Sequence, residues 1–277
     1  GFLASPSLRD NTVFIGDVEG SVYALNAVSG EEKWKSKTEG EINGSVNFFE
    51  DSVLVASQDG KLYCFGVDQG DLRWTYETQD SVRCSPSIAT GRTFLGGCDG
   101  QLHQVNLKTG EAIGAPLPLG GPTGSTPAVL QNQVVLPIMD GLVLAFDWKK
   151  GRELWRYEDL DLLQEYRSSA AISKDFVVVS SQNRQVDALS VDTGKLKWRY
   201  TLKRRSDASP VIAGEDVWIA ASDGRLIRLS LKDGKEKWTY EVRGSFLAAP
   251  AIVGDELFIG DDDGILRCFA KPEDELP

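Results

Sequence analysis

The sequence predicts an all-β protein: a seven-bladed β-propeller of four-stranded antiparallel blades, with the last blade lacking its outer strand. Three observations lead there. A small residue opens a short apolar strand at Ser5, Ser45, Ser85, Thr126, Ser169, Ser209 and Ala249, at intervals of 40, 40, 41, 43, 40 and 40 residues. A period near 40 with four strands per unit is the signature of a propeller blade. Within each unit an acidic or amide residue recurs in a tight turn, and in five units a Trp recurs four residues after a turn Gly. Seven such units use nearly all of the 277 residues, so one domain over residues 1–277 is expected.

The first repeat sets the element order: a strand from Ser5-Pro6-Ser7-Leu8, then Thr12 to Gly16, Ser21 to Asn26 and Glu31 to Lys37. Its second and third strands meet at Glu19-Gly20. The equivalent turns are Asp59-Gly60, Asp99-Gly100, Asp140-Gly141, Asn183-Arg184, Asp223-Gly224 and Asp263-Gly264, whose residue types supply the positive φ angles of a hairpin turn. The turn before the fourth strand ends at Gly30, Gly70, Gly110, Gly151, Gly194 and Gly234, and Trp34, Trp74, Trp155, Trp198 and Trp238 follow. The third repeat has Gly114 instead. A large ring recurring on an outer strand serves to dock one blade on the next, because a small sheet cannot bury both of its faces alone. Trp148 and Trp218 lie outside this column, and Trp218, on a second strand, is expected in the core.

The seventh repeat runs through Ala249 to Ile252, Leu257 to Gly260 and Ile265 to Ala270, after which no Gly-x-x-x-Trp follows. Its outer strand is expected to be absent or to come from upstream of Gly1. Phe2-Leu3-Ala4-Ser5-Pro6 nearly copies Phe246-Leu247-Ala248-Ala249-Pro250, so the chain is expected to start inside a crossover, as a piece of a larger protein would.

A net charge of -11 argues against general nucleic-acid binding, which depends on neutralising phosphates. No apolar run is long enough for a transmembrane helix. Gly1 is no natural initiator, and composition leaves the compartment open. The four cysteines are too few for a disulfide scaffold and lack metal-site spacing. Cys64 and Cys268 sit at the same third-strand place two blades apart and should not meet. Cys84 and Cys98 bracket one hairpin, one residue out of step, and are either bonded or two small buried thiols. The only histidine, His103, stands where other repeats carry Tyr23, Tyr63, Leu144, Asp187, Ile227 and Arg267; one His excludes the usual zinc sites and reads as a packed residue. Asp261-Asp262-Asp263-Gly264 lacks the ligand spacing of a calcium loop and reads as a hairpin turn.

The blade motif appears as Ala24-x-Asn26-x-x-Ser29-Gly30-x-x-x-Trp34, as Ala145-x-Asp147 with Gly151 and Trp155, and as Ala188-x-Ser190-x-x-Thr193-Gly194-x-x-x-Trp198. It resembles the repeat of the pyrroloquinoline-quinone (PQQ)-type propellers over essentially the whole chain. That family includes quinone-dependent dehydrogenases, which hold their cofactor against a disulfide of adjacent cysteines with a calcium ion, and non-enzymatic propellers of the outer-membrane assembly machinery. The chain has no Cys-Cys pair. The resemblance therefore implies the non-enzymatic branch, with neither PQQ nor calcium, and a periplasmic or extracytoplasmic place.

Function is expected at the departures from the repeat. Two residues before each repeat start stand Leu3, Asn43, Arg83, Gly124, Arg167, Asp207 and Leu247. The polar four, Asn43, Arg83, Arg167 and Asp207, either line a channel mouth that receives an anionic or polar ligand or acidic side chain, or are explained in part by Arg167 pairing with Asp207. The 43-residue interval comes from the crossover Glu158 to Tyr166, whose Leu160, Leu162, Leu163 and Tyr166 beside acids suit a partner site. The next crossover carries Lys203, Arg204 and Arg205, the opposite charge, and the two together form a candidate docking surface. The expected function is a monomeric scaffold that holds a protein or peptide by its rim loops. The alternative is a small-molecule sensor or an enzyme in the channel, including a PQQ-dependent dehydrogenase.

Overall fold

The computed structural model describes residues 1–162 and 164–270. In the first blade, strands Ser7–Arg9, Thr12–Gly16, Ser21–Asn26 and Glu32–Lys37 pair in chain order, all antiparallel. The next five sheets repeat this four-strand order, and the seventh holds Ala251–Val253, Glu256–Gly260 and Leu266–Ala270. This is a seven-bladed β-propeller with a three-stranded last blade among the described residues. The chain divides into two compact units, Gly1–Met139 with Phe146–Arg152, and Asp140–Ala145 with Glu153–Pro277.

The middle strands of a blade are apolar on both sides because both sides are covered: Val53, Leu54 and Val55 in succession are all fully buried. The outer strands alternate, as in Glu32-Lys33-Trp34, where only the ring is buried. In the first unit Phe14, Val22, Trp34, Ile42, Val53 and Val55 join the first two blades in one core. In the second, Val178, Val186, Trp198, Leu202, Val217 and Ile219 join the fifth and sixth.

The indole N–H of Trp34 donates to Val67 O at 2.7 Å, that of Trp155 to Val191 O at 2.7 Å, and that of Trp198 to Leu231 O at 2.8 Å. Each ring lies on the turn glycine of the following blade. A Cβ on Gly70, Gly110, Gly194 or Gly234 would stand 2.5–2.6 Å from Trp34, Trp74, Trp155 or Trp198 respectively. All four glycines also have positive φ, so the turn and the ring both exclude a side chain.

The third blade has no Trp in the column, and its outer strand is only Leu117–Pro118. The first unit compensates from the other direction. Trp148 stands in the column of Val67, Val191 and Leu231, whose carbonyls accept the indole N–H in other blades, and is 2 % exposed. It packs edge-on against Phe94 of the third blade at 5.6 Å, under the Arg92 guanidinium at 4.5 Å, and its N–H donates to Gln131 O at 3.0 Å. Trp218, expected in the core, is only half-buried: it meets Trp238 edge-on at 5.8 Å and lines a groove beside the last blade.

The third-strand position of His103 is a clamp on the hairpin turn. Tyr23 donates to Asp17 at 3.0 Å and Tyr63 to Asp59 at 2.7 Å; Arg267 donates to Asp261. His103, 4 % exposed, bonds Asp99 through Nε2 at 2.8 Å and Tyr76 Oη through Nδ1 at 2.9 Å. It is a packed, fully engaged residue. Asp261 also accepts the Ile265 amide at 2.9 Å, so its carboxylate closes the turn. All four cysteines are free, with Cys84 buried and its thiol bonded to Gly96 O.

Candidate partner-binding site

The crossover after the fourth blade is pinned at its base. Arg199, on the outer strand of the fifth blade, lies directly opposite Asp187 in the hairpin register. It donates to Asp187 at 2.6 and 2.8 Å, to Asp159 Oδ2 at 2.6 Å and to Tyr157 Oη at 2.9 Å. The other Asp159 oxygen accepts the amides of Asp161 and Leu162 at 3.0 and 3.1 Å, which folds the loop tip into a tight turn. One guanidinium thus binds two carboxylates and a phenol, the geometry for which its planar fork is suited. The electrostatics follow. The bond to Asp187, against the cost of burial, raises the Arg199 pKa. Burial opposes ionisation of Asp159, but the bond from Arg199 holds it below the usual carboxylate range. Burial, then Asp187, pushes the Tyr157 phenol up.

On this anchored loop Leu160 is 86 % exposed and Leu162 37 %. Leu163 lies outside the described residues. Tyr166, expected among the partner contacts, presents no surface: it is 1 % exposed and one of the largest buried side chains, with its phenol pushed up by burial and by Asp187. Its ring goes into the loop base, whereas Leu160, next to the Asp159 turn, stays in solvent. The Tyr166 hydroxyl and both amide atoms of Gln164 are buried without a hydrogen-bond partner among the described residues.

Arg167 and Asp207 do not pair. Arg167 donates to Glu165 at 2.6 Å, two residues away, and Asp207 accepts from Arg205 at 3.2 Å and from Gln182 Nε2 at 3.0 Å. Each found a carboxylate or donor closer along its own crossover. The two crossovers are nevertheless joined, because the Gln182 amide donates to Glu165 O at 2.9 Å while its side chain holds Asp207. Arg205 is held further through its carbonyl, which accepts the Ser222 amide and hydroxyl at 3.0 and 2.9 Å. Lys203 and Arg204 are exposed beside it. Leu160, Leu162, Arg167, Lys203 and Arg204 are thus exposed on two crossovers linked through Gln182. In the first unit Asn43 is half-buried with its Oδ1 unpartnered, and Arg83 is exposed next to Gly124, where a Cβ would stand 3.7 Å from that of Arg83.

Sequence reading missed Arg199, Asp159, Asp187 and Gln182. A signal was present for Arg199 and Asp187: Asp187 stands where the first two blades carry Tyr, and the hairpin register places Arg199 opposite it. Gln182 gave none. Among the described residues no three His, Cys, Asp or Glu side chains converge as metal ligands would.

Blades docked by Trp on Gly and turns clamped from the third strand define the class as a PQQ-like β-propeller. The chain belongs to the family of the outer membrane protein assembly factor BamB, whose family model matches residues 18–113 and 139–271. The crystal structure of BamB from Moraxella catarrhalis is similar at a TM-score of 0.85 and 20 % identity, over 98 % of this chain and 84 % of that one. The computationally designed Ika8 protein is similar at 0.84 and 17 %, over 96 % and 82 %. These likenesses carry the fold. No curated protein sequence matches the chain.

Proposed function

We propose that the chain is a non-enzymatic scaffold of outer-membrane protein assembly, working in the periplasm without PQQ or calcium, and that it holds a protein partner on the surface made by crossovers 158–167 and 203–207. The observation that carries this reading is the pinned loop. Leu160, 86 % exposed, is presented on a turn fixed by Asp159 and Arg199, so its ordering is complete before a partner arrives. An apolar pair flanked by Arg167, Lys203 and Arg204 suits a partner with a small apolar patch next to acidic side chains. The absence of a Cys-Cys pair supports the cofactor-free reading.

The test replaces Leu160 and Leu162 together by Ser and places a photo-crosslinking residue at Arg204. The expected result is an unchanged melting temperature, because both leucines are exposed, with partner affinity lower by about tenfold or more. The crosslinked protein is expected to be a component of outer-membrane assembly. Unchanged affinity in the double variant would remove this surface from the function.

A further inference from the structure

One of the blade-docking rings is left without its hydrogen bond. Trp34, Trp155 and Trp198 are 7–9 % exposed, and each donates its N–H to the carbonyl three residues before the turn glycine of the next blade. The counterpart for Trp74 is Leu107 O, three residues before Gly110. Trp74 is only half-buried, and its N–H reaches no acceptor among the described residues. An indole N–H partly withdrawn from water ordinarily finds a partner.

Trp74 and Leu107 line a groove of about 300 Å³ between the second and third blades, both in the first unit. Its chemistry is mixed and electrically balanced. Arg73 holds Asp51 in a two-pronged pair at 2.6 and 2.8 Å, and Lys108 stands 3.8 Å from Glu50. Two cations against two carboxylates leave no net charge, so the groove favours neither an anion nor a cation. Each pair still has N–H groups and carboxylate lone pairs to offer, and these bond hydroxyls well. Phe49, half-buried, adds an apolar wall. The volume lies at the lower end of the range for ligand pockets, which suits a molecule of one or two small rings. A neutral pyranose has the matching composition: an apolar face of C–H groups edged by hydroxyls that both donate and accept.

We infer that the groove beside Trp74 is a saccharide site. One hydroxyl of a neutral pyranose bridges the Trp74 N–H to Leu107 O, supplying the bond that the other blades make directly. The C–H face lies on Phe49, and further hydroxyls bond the Asp51–Arg73 and Glu50–Lys108 pairs. Nothing in this site draws on crossovers 158–167 and 203–207, so it stands or falls independently of the partner surface.

The test follows the indole N–H signals by heteronuclear NMR, with each signal assigned by its loss in the corresponding Trp→Phe variant. The Trp74 N–H should exchange with water faster than those of Trp34, Trp155 and Trp198. Titration with maltose, cellobiose and N,N′-diacetylchitobiose should shift the Trp74 signal saturably for at least one sugar and leave the other three signals in place. Trp74→Phe should weaken that sugar about fivefold, the worth of one neutral hydrogen bond, as read by calorimetry. Glu50→Ala combined with Lys108→Ala should weaken it about tenfold at an unchanged melting temperature, since both side chains are exposed and the change keeps the groove neutral. A Trp74 N–H as protected as the others overturns the proposal. So does a Trp74 signal that none of the three sugars moves, or binding that the Glu50 and Lys108 double variant leaves unweakened.

Discussion

Replacing Arg199 by Met should be the most damaging single change in the second unit for its size. It removes four hydrogen bonds at 2.6 to 2.9 Å and leaves the Asp187 carboxylate, 2 % exposed, and that of Asp159, 11 % exposed, without their cation. Removing one partner of a buried pair costs about 3–5 kcal/mol, because the stranded charge keeps its desolvation penalty. At the scale of this chain that is a fall of roughly 10 °C in melting temperature. The assay is thermal unfolding followed by circular dichroism, with limited proteolysis across residues 158–166 to read loop release. Acid provides an independent arm. The Asp159 pKa is depressed below its ordinary value of 3.8, so its contribution is complete above 3.8 and is lost as pH falls through the lowered value. The gap between wild type and Arg199→Met should therefore narrow below that point. Arg167→Ala, which breaks an exposed pair, should cost less than about 1 kcal/mol. A fall under about 2 °C for Arg199→Met, or a gap that does not change with acid, would refute the anchoring role.

Gly234→Ala should destabilise the docking of the fifth blade on the sixth by about 1–3 kcal/mol, since the new Cβ would stand 2.5 Å from Trp198 at a φ of +69°. Its effect should shrink in a Trp198→Ala background, which a double-mutant cycle by urea unfolding measures. Thiol labelling at pH 8 with an aromatic disulfide should modify exposed Cys268 in seconds and Cys84 only on unfolding, because burial pushes the Cys84 thiol up to about 12.

Much of the fold was legible because its signals are local. Asp59-Gly60 and its counterparts state their turn chemistry in two residues, and Gly70 after Asp68-Gln69 states the next. The swollen crossover was legible as a change of interval. What it would do with its side chains was not: Leu160 and Tyr166 are both apolar to a sequence reader, and only the pocket beneath the loop decides that the phenol goes in and the leucine stays out. Trp148 was legible as an exception to the column, but not as the substitute for the ring the third blade lacks, because that role rests on Phe94 and Arg92, more than fifty positions earlier.

By itself the sequence determined the period of 40, the seven repeats and the Trp and Gly columns. These depend on spacings within one repeat, where chain connectivity already holds the groups near each other. The tertiary structure alone decided that Arg167 turns to Glu165, that Asp207 is held by Gln182, and that Arg199 fastens the crossover it is 40 residues away from. The last two choices join side chains 25 and 40 residues apart, and the first is settled by which of several nearby charges the fold brings within reach, which no spacing along the chain records.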